Sequence, residues 1–204
     1  MSRCTIVRAV QVAIVILSIA GRGVARADVS LGASFGYTHL TYPDIPHFTN
    51  DVIGIPGTEV WAQPGLRVGY LAHGSNWDVI TDFGLVRRSG TIGSTGTNFQ
   101  LLPQVQVNGS ERSGIRPFLN AGVGIVHESA DTFPDNPITA TRPVFGAGIG
   151  GRKSVSDGHG LVRLELRYDR LSEQSKVLSP SSTFTFPATN MFSVKFGFDL
   201  LVAR

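Results

Sequence analysis

Apolar and polar residues alternate along this chain with a period of two, most clearly near its end. In 160–171, Val162, Leu164, Leu166 and Tyr168 alternate with Arg163, Glu165, Arg167 and Asp169. In 190–202, Phe192, Val194, Phe196, Phe198, Leu200 and Val202 alternate with Ser193, Lys195, Gly197 and Asp199. Successive side chains of a strand point to opposite faces, so each segment predicts a strand with one apolar and one polar face. Six more alternating segments, each bounded by turn residues, lie near 28–38, 59–72, 76–88, 97–107, 114–127 and 142–154. None has a helical period, and the pattern predicts an all-β domain of eight strands.

The connections form a second pattern. Those at 73–75, 108–113 and 154–159 are short and rich in Gly, Ser, Asn and Asp, whereas 39–58, 89–96, 128–141 and 172–189 are mostly longer and carry most of the prolines. Long and short connections alternate, as in an antiparallel up-and-down transmembrane barrel with short turns at the periplasmic end and long loops outside. A soluble Greek key does not predict this alternation; a soluble lipocalin-like barrel can share it, but must turn its apolar faces inward.

Parity assigns the faces. One side gathers Leu31, Phe35, Leu66, Val68, Leu119, Val123, Phe145 and Ile149 with the apolar residues above, and none of its members is charged. The other gathers Arg67, Asp78, Asp82, Gln104, Arg116, Asn120, Arg163, Glu165, Arg167, Asp169, Lys195 and Asp199, with many glycines. An eight-stranded barrel is only wide enough for its own side chains. An interior ion network of Arg67, Arg116, Arg163, Arg167 and Lys195 with Asp78, Asp82, Glu165, Asp169 and Asp199 is therefore expected to pair and plug the lumen. Tyr37, Tyr70, Trp77 and Tyr168 fall near strand ends, where interfacial aromatics belong.

Residues 1–27 carry Arg3 and Arg8, an apolar run from Val12 to Ala20, and Ala25-Arg26-Ala27 before Asp28. This is the pattern of a cleaved secretory signal, with 28–204 as a single mature domain. The apolar run is too short for a spanning helix, which needs about 20 residues. Loss of Arg3, Arg8, Arg22 and Arg26 would leave 14 bases against 15 acids, so the basic balance of the full chain is no argument for a nucleic-acid partner. Cys4 is the only cysteine and lies in the leader, leaving the mature domain without a disulfide.

The segments Arg116-Pro117-Phe118-Leu119-Asn120-Ala121-Gly122-Val123-Gly124, Phe145-Gly146-Ala147-Gly148-Ile149-Gly150 and Leu164-Glu165-Leu166-Arg167-Tyr168-Asp169 resemble the eight-stranded outer-membrane barrels of Gram-negative bacteria, the group of the OmpA transmembrane domain and OmpX-like proteins. The resemblance implies outer-membrane residence, contact with membrane lipid, and insertion by the barrel-assembly machinery. Lys195, Gly197, Leu200 and Val202 match the spacing of the C-terminal assembly signal, although the chain ends Val202-Ala203-Arg204 rather than on an aromatic residue.

Several local motifs invite chemistry. Gly146, Gly148 and Gly151 fit a dinucleotide fingerprint, which needs a following helix that the pattern does not supply. Asn108-Gly109-Ser110 fits a glycosylation sequon but reads as turn chemistry. His39, Asp44, His47 and Asp51 crowd the first long connection without the spacing of a defined metal site. His127 and Ser129 share a strand face and resemble the His-x-Ser pair of outer-membrane lipid A deacylases, which implies an esterase as the alternative activity. That pair lies on a later strand in those enzymes, where this chain has Arg170 two residues before Ser172. The chain is thus expected to be a monomeric, non-enzymatic barrel without metal or cofactor, in which the four long loops meet an external ligand.

Overall fold

The computed structural model describes residues 27–43, 49–54, 65–72, 76–88, 96–130, 138–179 and 182–203. Residues 1–26 of the proposed leader, 1–27, lie outside them, as do Asp44 and His47. The strands are β1 (Ala27–Thr41), β2 (Thr49–Gly54), β3 (Leu66–Ala72), β4 (Trp77–Arg88), β5 (Gly96–Asn108), β6 (Ile115–Ala130), β7 (Ile138–Val155), β8 (Gly160–Leu171), β9 (Gln174–Ser179), β10 (Ser182–Phe186) and β11 (Thr189–Ala203). Neighbouring strands pair antiparallel from β3 to β8, β8 pairs with β11, and β11 pairs with β1. The sheet closes into an eight-stranded antiparallel barrel, with β9 and β10 a separate hairpin.

The expected second strand near 59–72 is differently built. Along one edge of β1, β2 occupies Gly36 to Thr41 and β3 occupies Ala27 to Ala33, and the Ser34 N–H donates to the Gly65 carbonyl at 3.2 Å. The two stretches thus lie one after the other along the same edge of β1, and β3 is the one that pairs onward with β4. The connection expected at 39–58 contains β2, and the one at 172–189 contains β9 and β10. Residues 59–64 lie outside the described residues.

Register fixes the barrel's geometry. Paired residues lead from Thr38 through Ser193, Arg167, Gly148, Asn120, Gln106, Asp78 and Leu71 to Asp28, a stagger of ten residues on β1 after one circuit. This shear tilts the strands, and eight strands leave a lumen only wide enough for side chains. The short turns are sharp. Arg112 and Ile115 exchange two backbone hydrogen bonds across Ser113 and Gly114, whose φ values of 53° and 78° suit a two-residue hairpin turn of the twist-matched type.

The polarity is inverted relative to a soluble barrel. Leu119 is 59 % and Val123 60 % exposed on the outer wall, whereas Arg67, Arg163, Glu165, Arg167, Asp169 and Lys195 are buried inside. An inward apolar core, required by the lipocalin-like alternative, is not what closes this barrel. The lumen nevertheless has an apolar layer. Leu40, Leu102, Val126, Val144, Leu171 and Met191, from six strands, pack together near the end that carries the long connections, with Tyr42 against them. On β8 the inward positions run Arg163, Glu165, Arg167, Asp169 and Leu171, so this layer lies above the charges, toward that loop end.

Candidate functional site

The interior charges form one connected network. Glu165, at the middle of β8, stands 3.1 Å from Arg67 Nη2, 3.4 Å from Arg167 Nη1 and 3.7 Å from Arg163 Nη1, and Asn120 Nδ2 donates to its Oε1 at 3.0 Å. Arg67 grips Asp82 with Nε at 2.5 Å and Nη2 at 2.8 Å, a two-point geometry that only a guanidinium supplies. Gln104 joins the two sides, donating to Asp82 at 2.8 Å and accepting from Arg167 Nη1. Arg167 Nε reaches both oxygens of Asp169 at 2.9 and 2.8 Å, and Arg163 Nε reaches those of Asp199 at 3.3 and 3.0 Å. Lys195 is buried beside this set, opposite Glu165 in the pairing of β11 with β8.

Glycines leave the room these side chains need. A Cβ on Gly197 would collide with the Arg163 guanidinium, and one on Gly146 with the Asp169 carboxylate. Gly148 likewise leaves room for Asn120 and Glu165, which accounts for two glycines of the dinucleotide-like motif, and β7 continues as a strand to Val155 rather than opening a helix. Toward the end with the short turns, Asp78 accepts from Arg152 Nη1 and Asn108 Nδ2, both at 2.8 Å, so the sequon asparagine points into the lumen.

Nine of the ten residues expected in the network are buried inside, and Arg116 is not. It lies at the start of β6, beyond the enclosed part of the strand, with its side chain 44 % exposed and 3.8 Å from Glu111. Inward parity alone does not bury a residue at the rim. Arg152 and Arg142 are bases that the sequence reading missed, although they share a face with Gly146, Gly148 and Gly150. Of the proposed assembly signal, Lys195 and Gly197 face inward, while Leu200 and Val202 lie on the outer wall.

A second buried pair closes the loop end. Arg142 Nη2 contacts both carboxylate oxygens of Glu128 at 2.7 and 2.8 Å, and its Nη1 donates to the carbonyls of Ser172 at 3.1 Å and Pro187 at 2.6 Å. The ring of Phe186 lies 5.8 Å from the same guanidinium and packs with Ile138 and Ala140. Ser172 and Pro187 bracket the β9–β10 hairpin, so one arginine ties both of its ends to the barrel. His127, next to Glu128, points to the other face: its Nδ1 hydrogen-bonds Thr141 Oγ1 at 2.8 Å and its ring stacks on Phe99. Glu128 therefore does not stand behind His127 as the acid of a catalytic triad. Among the described residues no three His, Cys, Asp or Glu side chains gather as metal ligands.

No protein-family model and no curated protein matches this sequence. Solved structures do. The crystal structure of Neisserial surface protein A superposes with a TM-score of 0.59 at 11 % identity, covering 85 % of this chain and 96 % of that one. The solid-state NMR structure of the outer membrane protein AlkL in lipid bilayers superposes with a TM-score of 0.50 at 12 % identity, covering 90 % and 94 %. The chain has the fold of the eight-stranded outer-membrane barrels. At such identities the likeness concerns the fold, and the chemistry rests on this chain's own residues.

Two results are expected from this geometry. Arg167→Ala leaves Asp169 and Glu165 buried with fewer partners and should lower unfolding stability by about 3–5 kcal/mol. Arg116→Ala should change it by about 0.5 kcal/mol or less; urea titrations of the protein refolded in lipid vesicles compare the two. Arg142→Ala should release the hairpin, seen as faster amide exchange across 172–189 with exchange in β8 unchanged.

Proposed function

We propose that this chain is an integral outer-membrane protein that crosses the bilayer with its eight strands, keeps a plugged polar interior and works through its loops, without catalysing a reaction. The observation that carries this reading is the inverted wall, with large apolar side chains outside and a paired ionic network inside. In water that outer wall would leave apolar surface uncovered on every side, whereas hydrocarbon covers it and closure satisfies the backbone. The end carrying the short turns faces the periplasm and the loop end faces outward, where the β9–β10 hairpin and its neighbours meet an external partner.

The lumen is closed twice along its length. Water and ions would have to cross both the ionic network and the apolar layer of Leu40, Leu102, Val126, Val144, Leu171 and Met191, and a dry constriction of that kind resists ion passage. The interior therefore serves rigidity rather than transport. A hydrolase reading would rest on His127 and Ser129; an unchanged lipid A mass profile on expression of the wild-type chain would speak against it.

Electrophoresis in SDS with and without boiling, on protein from the membrane fraction, tests the proposal. A compact, fast band that slows on heating is expected, together with no steady conductance in a planar bilayer. Release of the chain as a soluble periplasmic protein, or a persistent open channel, would overturn it.

A further inference from the structure

One strand of the β9–β10 hairpin has an unguarded edge. β10 pairs with β9 alone, and among the described residues no backbone group of Ser182–Phe186 bonds to another backbone group outside the hairpin. Ser182, Thr183 and Thr185 are exposed and Phe184 is half-buried. The unpaired N–H and C=O groups of such an edge are a template for a further strand, and proteins commonly blunt them with charge, proline or a covering element. β9 has two of these protections: it carries Lys176, and it lies beside β7, where the Lys176 Nζ stands 3.4 Å from the Thr139 carbonyl. β10 reads Ser-Thr-Phe-Thr-Phe, with neither charge nor proline.

The edge is held in shape. Phe186 is buried with Ile138 and Ala140 and meets the Phe184 ring edge-on at 5.0 Å, while the hydroxyls of Ser175 and Thr185 bond across the hairpin at 2.9 Å. With both hairpin ends tied by Arg142, the edge has little freedom left to lose on pairing. It is also self-complementary. Antiparallel pairing about Phe184 sets this ring opposite its own copy and each Thr183 opposite Thr185 of the other chain, with no like charges meeting along β10. Aromatic pairs and Thr–Thr pairs across neighbouring strands stabilise a sheet.

We propose that this chain self-associates through β10, two copies joining their hairpins into one four-stranded antiparallel sheet at the loop end. A second copy of the chain then stands where the sequence led to the expectation of a monomer. The proposal names the external partner in the functional reading above and rests on that reading.

Cysteine pairing and light scattering of the detergent-purified protein test it, helped by the absence of cysteine from 28–204. Wild type should scatter as a dimer that dissociates on dilution. Thr183→Cys mixed with Thr185→Cys should form a disulfide-linked dimer under mild oxidation, whereas either variant alone should not, because only the mixed pair comes directly opposite. The double variant Thr183→Lys, Thr185→Lys should dimerise at least about tenfold more weakly, as should the corresponding double Glu variant, and mixing the two should restore association. Val177→Ser, on β9 and away from the edge, should leave the dimer intact. A monomeric wild type, cross-linking as strong in the single variants as in the mixture, or loss of the dimer with Val177→Ser would overturn the proposal. The heat-dependent shift in SDS separates the two readings: a monomer that keeps the shift overturns the dimer alone, whereas a wild type without the shift overturns the membrane reading beneath it.

Discussion

Glu165 has no exposed surface and faces three guanidinium groups at 3.1 to 3.7 Å. A carboxylate taken out of water costs several kcal/mol unless its partners are well placed, and a guanidinium costs likewise. The barrel meets that cost collectively. Arg67 bridges Asp82 and Glu165, Arg167 bridges Glu165 and Asp169, and Gln104 and Asn120 satisfy oxygens left between them. Such a network tolerates no slip of register, because a shift of one residue on any strand would send its charges into the wall and its apolar groups into the lumen. The charges therefore select the stagger of ten residues as much as the backbone ladders do.

The same constraint divides the lumen. The charged section ends where Asp169 is followed by Leu171 on β8 and Ser193 by Met191 on β11. Beyond it the apolar layer fills the bore, and Arg142 with Glu128 secures the hairpin over the loop end. The interior is thus filled by paired charges below and apolar side chains above, and on the proposed reading the outer wall and the loops are left for contact.

Much of this was legible in the sequence because a narrow membrane barrel imposes opposite demands on its two faces. Segments 160–171 and 190–202 carry both demands without a break over 162–169 and 192–200, and they correspond closely to β8 and β11. Legibility fell where both neighbouring positions are apolar. Leu101-Leu102, Ile125-Val126 and Val144-Phe145 hide the lumen's apolar layer, since inward and outward members look alike. The β9–β10 hairpin went unread inside a proline-bearing connection, although Thr183-Phe184-Thr185-Phe186 alternates. Arg116 misled for another reason: parity gives direction but not depth, and it stands where β6 has left the enclosed region. The Arg142–Glu128 contact joins two isolated charges on adjacent strands, and their pairing needed the register of β6 with β7.

The central claim is that the apolar face looks into lipid and the charged face into the lumen. Methyl-labelled protein in lipid nanodiscs tests it without any substitution, through nuclear Overhauser contacts between side-chain methyls and acyl chains. Contacts at Leu31, Val68, Leu119, Val123, Leu164 and Leu166, with none at Leu40, Leu102, Val126, Val144 and Leu171, are the predicted result. Acyl-chain contacts at the second set, or water contacts throughout the first, would contradict the account.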